Sequence, residues 1–251
     1  MNIIVNDLLT QYTLTGTGKL VLLLHGWGDS SGGLAAVDNQ LSQDYRVLAL
    51  DLPGFGGTQP PRETWGLDDY ASFVEAVLQK LNLGQLYAVI GHSNGGAIAI
   101  RGCARHMLRP RKLILLAAAG VRNKHSARRL VLNVIAKLGK VATWWLPRRS
   151  RQALRARLYG AAGSDLLVVA GLQATFKKTV RQDVQADAAT LKLPTLLIYG
   201  AHDRAVPLAD GQRYHSLIEN SRLEIIKDAG HFVHLDQPAQ VQRLIAQFLG
   251  L

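Results

Sequence analysis

Gly91-His92-Ser93-Asn94-Gly95-Gly96 is the stretch that decides the fold. Residues 86–90 before it form a short apolar run of strand length. Residues 97–103 after it are small and apolar, the pattern of a helix pressed against a sheet. A serine on such a strand-to-helix turn projects its hydroxyl outward. The glycines beside it let neighbouring backbone approach where a Cβ would clash. The amide of Asn94 then points to the place where an oxyanion would form.

The same alternation extends outward in both directions. Leu20–Leu24 is a continuous apolar run, as expected of a buried parallel strand, and it ends at His25-Gly26-Trp27-Gly28. Residues 45–50 form the next strand and run into Asp51-Leu52-Pro53-Gly54-Phe55-Gly56-Gly57. Strands are predicted at 112–118, 194–200 and 223–227, and two short ones at 3–5 and 8–14 flank a turn at Asn6-Asp7. Tyr70, Phe73, Val74, Val77, Leu78 and Leu81 follow helical spacing. Further helices are expected over 34–41, 208–218 and 239–249. Strands alternating with helices argue for a mostly parallel sheet covered on both faces. Ligands bind such sheets at the carboxyl ends of the strands.

A serine hydroxyl is a poor nucleophile without a base. Asp203 lies just past one predicted strand, in Gly200-Ala201-His202-Asp203. His231 lies just past the next, in Asp228-Ala229-Gly230-His231. Both therefore fall at the sheet edge that carries Ser93, in the chain order serine, acid, histidine. His231 is the candidate base, and Asp203 the residue that fixes its tautomer and stabilises its imidazolium. Asp228 is the nearest rival acid and reads as the cap of the turn before His231. His234 and His202 are the rival bases; His234 packs or is solvated, and His202 points elsewhere. The Trp27 amide is the expected second oxyanion donor beside that of Asn94, and the Trp27 side chain the floor of an acyl pocket. His25 reads as a hydrogen-bonded structural residue.

Taken together, His-Gly-Trp-Gly at 25–28, Asp-Leu-Pro-Gly-Phe-Gly at 51–56, Gly-His-Ser-Asn-Gly-Gly at 91–96, Gly-Ala-His-Asp at 200–203 and Gly-His at 230–231 resemble the α/β-hydrolase superfamily. The similarity is to its cap-bearing, carboxylesterase-like serine hydrolases and covers nearly the whole chain. It implies a mostly parallel eight-stranded sheet with helices on both faces and an inserted helical cap. Members resembling this chain include esterases, lipases, C–C hydrolases, cofactor-free peroxidases and lyases, so the resemblance does not choose a reaction. Some relatives carry the acid after the preceding strand, but Ala117-Ala118-Ala119-Gly120 offers none there. A serine at the turn argues against dehalogenases and epoxide hydrolases, which need a carboxylate nucleophile.

Composition excludes several other classes. A chain of 251 residues with 48% hydrophobic and 19% charged residues is long enough for one core and too apolar for disorder. Its lone cysteine, Cys103, permits neither an internal disulfide nor a multi-cysteine zinc site. It reads as an inert buried side chain. Gly16-Thr17-Gly18-Lys19 fails as a phosphate loop, because Thr13 stands where a glycine is needed. No dinucleotide fingerprint follows the first strand and no His-x-x-x-His pair occurs, so no cofactor or metal is implied. The amino-terminal residues show no basic and apolar leader, and no run approaches membrane-spanning length. The expectation is a cytoplasmic protein.

The net charge of +11 is local. Residues 122–182 hold 14 Lys+Arg and one acidic residue, leaving 15 and 17 elsewhere. The domain reading is a core of residues 1–120 and 190–251 interrupted by a basic helical cap at 121–189. Leu130, Val131, Val134, Ile135 and Leu138 are helically spaced, and two to four amphipathic helices are expected over the mouth of the site. The charges suit solvated helix faces. A sharper reading is an acidic partner: resemblance to esterases similar to pimeloyl-[acyl carrier protein] methyl ester esterase implies an acidic carrier protein. Arg148, Arg149, Arg151, Arg155 and Arg157 are the candidates to pair its carboxylates or phosphate. Trp144-Trp145 beside arginines suggests an anionic lipid surface instead. Nucleic acid has only charge in its favour, with no recognition fold.

The function expected is hydrolysis of a small-molecule carboxylic ester through an acyl-enzyme formed on Ser93. One alternative is C–C hydrolysis of a carboxylated diketone-like substrate held by the arginines. Another is methyl ester hydrolysis on a carrier-bound substrate. The complete set of site residues argues against a binding module that never turns over its ligand.

Overall fold

A computed structural model describes residues 1–122 and 171–251. Most of the expected cap, with Trp144, Trp145, Arg148, Arg149, Arg151, Arg155 and Arg157, lies outside the described residues.

Eight strands form one sheet: β1 (Asn2–Val5), β2 (Leu8–Thr15), β3 (Leu20–Leu24), β4 (Arg46–Leu50), β5 (Leu86–His92), β6 (Lys112–Leu116), β7 (Thr195–Gly200) and β8 (Ser221–Ile226). Their spatial order is β1-β2-β4-β3-β5-β6-β7-β8. The first two strands pair antiparallel, and every pairing from β4 through β3 to β8 is parallel. β5 thus stands in the middle, with β8 at the far edge.

The apolar runs are continuous because both faces are covered. In β3, Leu20, Leu22 and Leu24 enter one core while Val21 and Leu23 enter the other. The first core is closed by α2 (Leu67–Lys80), α3 (Asn94–Ala104) and α6 (Leu208–Leu217). The second is closed by α1 (Ala35–Leu41) and α8 (Pro238–Leu249). α2 begins where the Asp69 carboxylate accepts the Gly66 amide at 2.6 Å. Its acids Asp68 and Asp69 sit at the amino end and Lys80 at the carboxyl end, as the helix dipole favours. Its stripe Tyr70, Phe73, Val74 and Val77 is buried. α8 starts on a proline and stops at left-handed Gly250.

β5 runs two residues past its apolar run, to His92, and two other strands also depart from expectation. β6 ends at Leu116 rather than at 118: Ala117 still donates its amide to Ile198 O at 2.9 Å, but its φ of 45° turns the chain out of the strand direction. β8 begins two residues early, at Ser221; it is an edge strand that opens on polar Ser221 and Arg222, so its apolar run understates it.

Residues 171–189, read from the sequence as the end of the cap, carry α4 (Gln173–Thr179) and the start of α5 (Gln185–Thr190). Both are tied to the core. Thr175 Oγ1 accepts the Trp65 amide at 3.2 Å and Gln182 Oε1 accepts the Leu67 amide at 2.6 Å. Arg101 on α3, whose side chain is only 10% exposed, reaches Asp68 on α2 and Asp187 on α5. Leu172 fills the space above Gly54, where a Cβ would stand 2.3 Å from its Cδ1.

Candidate active site

Ser93 caps α3 at the carboxyl end of β5 with φ 51° and ψ −116°, a conformation rare for any residue with a Cβ. The surroundings enforce it. Its amide donates to Leu116 O at 3.0 Å, and its carbonyl accepts the amides of Gly96, Ala97 and Ala119. The glycines are required by contact: a Cβ on Gly91 would lie 2.6 Å from Gly95 O, and one on Gly95 would lie 2.3 Å from Leu24 O. The turn read from Gly91-His92-Ser93-Asn94-Gly95-Gly96 is therefore present, with its serine at the strand-to-helix corner.

His231 arrives from the loop after β8 and Asp203 from the loop after β7. Ser93 Oγ donates to His231 Nε2 at 3.0 Å, and His231 Nδ1 donates to Asp203 Oδ2 at 2.8 Å. The Asp203 side chain is wholly buried, and its Oδ1 accepts the amides of Ala205 and Val206 at 2.7 and 2.8 Å. These two amides hold the carboxylate in one orientation. The carboxylate in turn holds His231 with Nδ1 protonated and Nε2 free to accept.

The rivals fall elsewhere. Asp228 and His202 are exposed. The carboxylate that holds the turn before His231 is not that of Asp228, as expected from the sequence, but that of Asp236. It accepts the Gly230 amide at 2.8 Å, and it comes from α7 (Val233–Asp236), a one-turn helix the sequence does not announce. His234 is buried and packs edge-on against the His92 ring at 4.7 Å. Burial lowers its proton affinity.

The loop 25–28 lies directly against the serine, since a Cβ on Gly26 would stand 3.2 Å from Ser93 Cβ. His25 is structural: Nδ1 donates to Gly26 O at 2.7 Å and Nε2 accepts the Leu52 amide at 2.9 Å. Burial holds it below the usual histidine range, which suits this neutral tautomer. Among the described residues, the amides of Trp27 and Asn94 donate to no other group, so both remain free for a ligand oxygen. The Trp27 ring packs on Phe55 at 4.8 Å and on Phe176 of α4 at 5.0 Å, forming an aromatic wall. Phe55 stands in the 51–56 motif with no role read for it there, and Phe176 is a member the sequence does not single out; it lies far along the chain and carries no spacing signal. Cys103 is buried and its thiol is pushed up to about 12, outside this chemistry.

Known proteins share this architecture. The chain is 26% identical over 261 residues to 2-hydroxy-6-oxo-2,4-heptadienoate hydrolase of Pseudomonas putida, covering 94% of this chain and 90% of that one. It is 28% identical over 263 residues to the AB hydrolase superfamily protein YisY of Bacillus subtilis, covering 93% and 92%. An esterase from Exiguobacterium antarcticum superposes with a TM-score of 0.75 at 21% identity, covering 100% of this chain and 99% of that one. The sequence model of the alpha/beta hydrolase family matches residues 21–244, from the first parallel strand to the last helix. The chain belongs to the alpha/beta hydrolase family and is a hydrolase.

Proposed function

We propose that the chain is a serine hydrolase that cleaves a carboxylic ester through an acyl-enzyme. The observation that supports this most is the unbroken chain of contacts from Ser93 Oγ through His231 to buried Asp203. His231 Nε2 takes the Ser93 proton as Oγ bonds to the carbonyl carbon. The carbonyl oxygen becomes an oxyanion held by the Trp27 and Asn94 amides. As the tetrahedral species collapses, the bond to the alkoxy oxygen breaks, and His231 hands its proton to the leaving alkoxide. A water molecule, deprotonated by His231, then attacks the acyl carbon. Ser93 leaves with the returned proton and the acid is released. Trp27, with Phe55 and Phe176, offers an apolar surface for the acyl group.

Hydrolysis of p-nitrophenyl esters from acetate to decanoate tests this, with wild type and Ser93→Ala side by side. A chain-length optimum that vanishes in the variant is expected. No turnover of any ester by wild type would sink it.

A second reading is C–C hydrolysis, favoured by the name of the Pseudomonas putida relative. The same serine and histidine would serve, and Arg148, Arg149, Arg151 or Arg155 would hold the substrate carboxylate. Turnover of a 2-hydroxy-6-oxo-dienoate in preference to every ester would select it. The basic run at 122–182 is proposed to meet an acidic partner, a carrier protein or an anionic surface. Higher turnover of a carrier-bound ester than of the free ester would point to the former.

A further inference from the structure

His92 precedes the serine in the chain, so the corner that fixes Ser93 fixes His92 too. Its ring is buried between the two halves of the site. On one side, Nε2–H donates to the main-chain carbonyl of His231 at 3.1 Å. The ring lies 4.9 Å from the His231 ring, 5.3 Å from Phe232 and 4.7 Å from His234. On the other side, Nδ1 faces Gly26, where a Cβ would stand only 2.9 Å away. Gly26 is the residue before Trp27.

His231 needs such a support. It sits in a loop that leaves an edge strand, and among the described residues its main chain makes no other hydrogen bond. Asp203 fixes the far side of the imidazole but not the backbone that carries it.

We propose that His92 is a positioning residue. Its hydrogen bond to the His231 carbonyl holds the base against Ser93, and its ring, packed on Gly26, sets the Trp27 loop to the same corner. The proposal rests on the serine-hydrolase reading given above. A neutral donor suits the task. Burial, with His234 and His231 as close neighbours and His25 beyond, keeps His92 far below the usual histidine range and therefore uncharged. A lysine or arginine could donate the same bond, but its charge would oppose the imidazolium that His231 becomes.

The test compares wild type, His92→Phe, which keeps a ring and loses the donor, and His92→Gln, which keeps a donor near the position of Nε2. Three quantities are read: kcat and KM on the best p-nitrophenyl ester, the acid limb of the kcat/KM pH profile, and the rate at which a fluorophosphonate labels Ser93. Displacing a base by a fraction of an ångström costs on the order of 10–100-fold in rate. His92→Phe should lose about that factor in kcat and in labelling rate, with KM within about twofold and a displaced acid limb. His92→Gln should regain most of it. Wild-type rates in His92→Phe would overturn the proposal. So would a loss in His92→Gln as large as in His92→Phe, since packing alone would then account for it. If His92→Phe does not fold, His92→Met against His92→Gln makes the same comparison at matched length. Ser93→Ala separates the two levels. If wild type is labelled and Ser93→Ala is not, the serine-hydrolase reading stands and only the role of His92 is at stake. If wild type is never labelled, both fall.

Discussion

Asp203 faces His231 with one carboxylate oxygen only: Oδ2 accepts from Nδ1 at 2.8 Å, while Oδ1 is occupied by two backbone amides. This division predicts the outcome of Asp203→Asn. The amide oxygen of an asparagine must stay where the backbone N–H groups of Ala205 and Val206 point, so its NH2 turns to His231. Nδ1 would then have to accept, and the proton would move to Nε2, facing Ser93 in the wrong tautomer. The variant should fold normally, with kcat lower by about 10³–10⁴-fold. Steady-state kinetics and a thermal melt of the same preparation check both halves.

Ser93 is held at φ 51° in spite of its Cβ. Strain of this kind costs about 1–3 kcal/mol. Ser93→Gly should therefore be inactive yet more stable than Ser93→Ala, by about 1 kcal/mol once the added freedom of the unfolded glycine is set against the relief. Urea unfolding of the two variants measures the difference. Equal midpoints would show that the relief at the corner is no larger than the cost of glycine's added freedom in the unfolded chain.

Arg101 links three helices through Asp68 and Asp187. Removing one partner of a buried ion pair costs about 3–5 kcal/mol, but Asp68 is 44% exposed and its share is screened by water. Arg101→Met should lower stability by about 2 kcal/mol, with α4 and α5 loosening first. Hydrogen exchange that rises over residues 173–190 before it rises in β5 would show this.

His234 lies buried with its proton affinity reduced by loss of solvent. An unfolded histidine titrates near 6.5. Above that pH both states are neutral and the residue adds no pH dependence. Below it the unfolded chain binds the proton and the folded chain resists, so stability falls as pH drops through about 6.5 toward the lower folded value. The melting temperature of wild type should decline between about pH 7 and 5, and the decline should be shallower in His234→Leu. Parallel melting curves would rule this out.

Most of the architecture was readable because strand length, apolar continuity and glycine placement are local signals. Leu20–Leu24 and Gly91-His92-Ser93-Asn94-Gly95-Gly96 each state their environment in a few residues. Ser93, Asp203 and His231 were legible for a related reason. Each follows a strand end, and parallel strands bring their ends to one edge. What escaped was contact between distant segments. Asp236 holding Gly230, Phe176 against Trp27 and His92 on the carbonyl of His231 depend on how loops fold back, and no spacing encodes that. The end of β6 escaped too, since Ala117 has no residue-type reason to turn to positive φ; the corner at Ser93, whose carbonyl accepts the Ala119 amide, imposes it.

The site is assembled from unequal materials. Ser93 rides on the central strand, whereas His231 hangs from β8, which has one neighbour, and the two are 138 residues apart in the chain. During synthesis the nucleophile emerges long before its base, so a partly made chain carries an idle serine. In the finished molecule, peeling β8 from β7 draws Ile226 out of the second core and removes the base, while the first core, none of whose buried residues follows Ile218, stays shut. Heat or denaturant should therefore silence the protein before it unfolds, and cooling should restore activity without refolding.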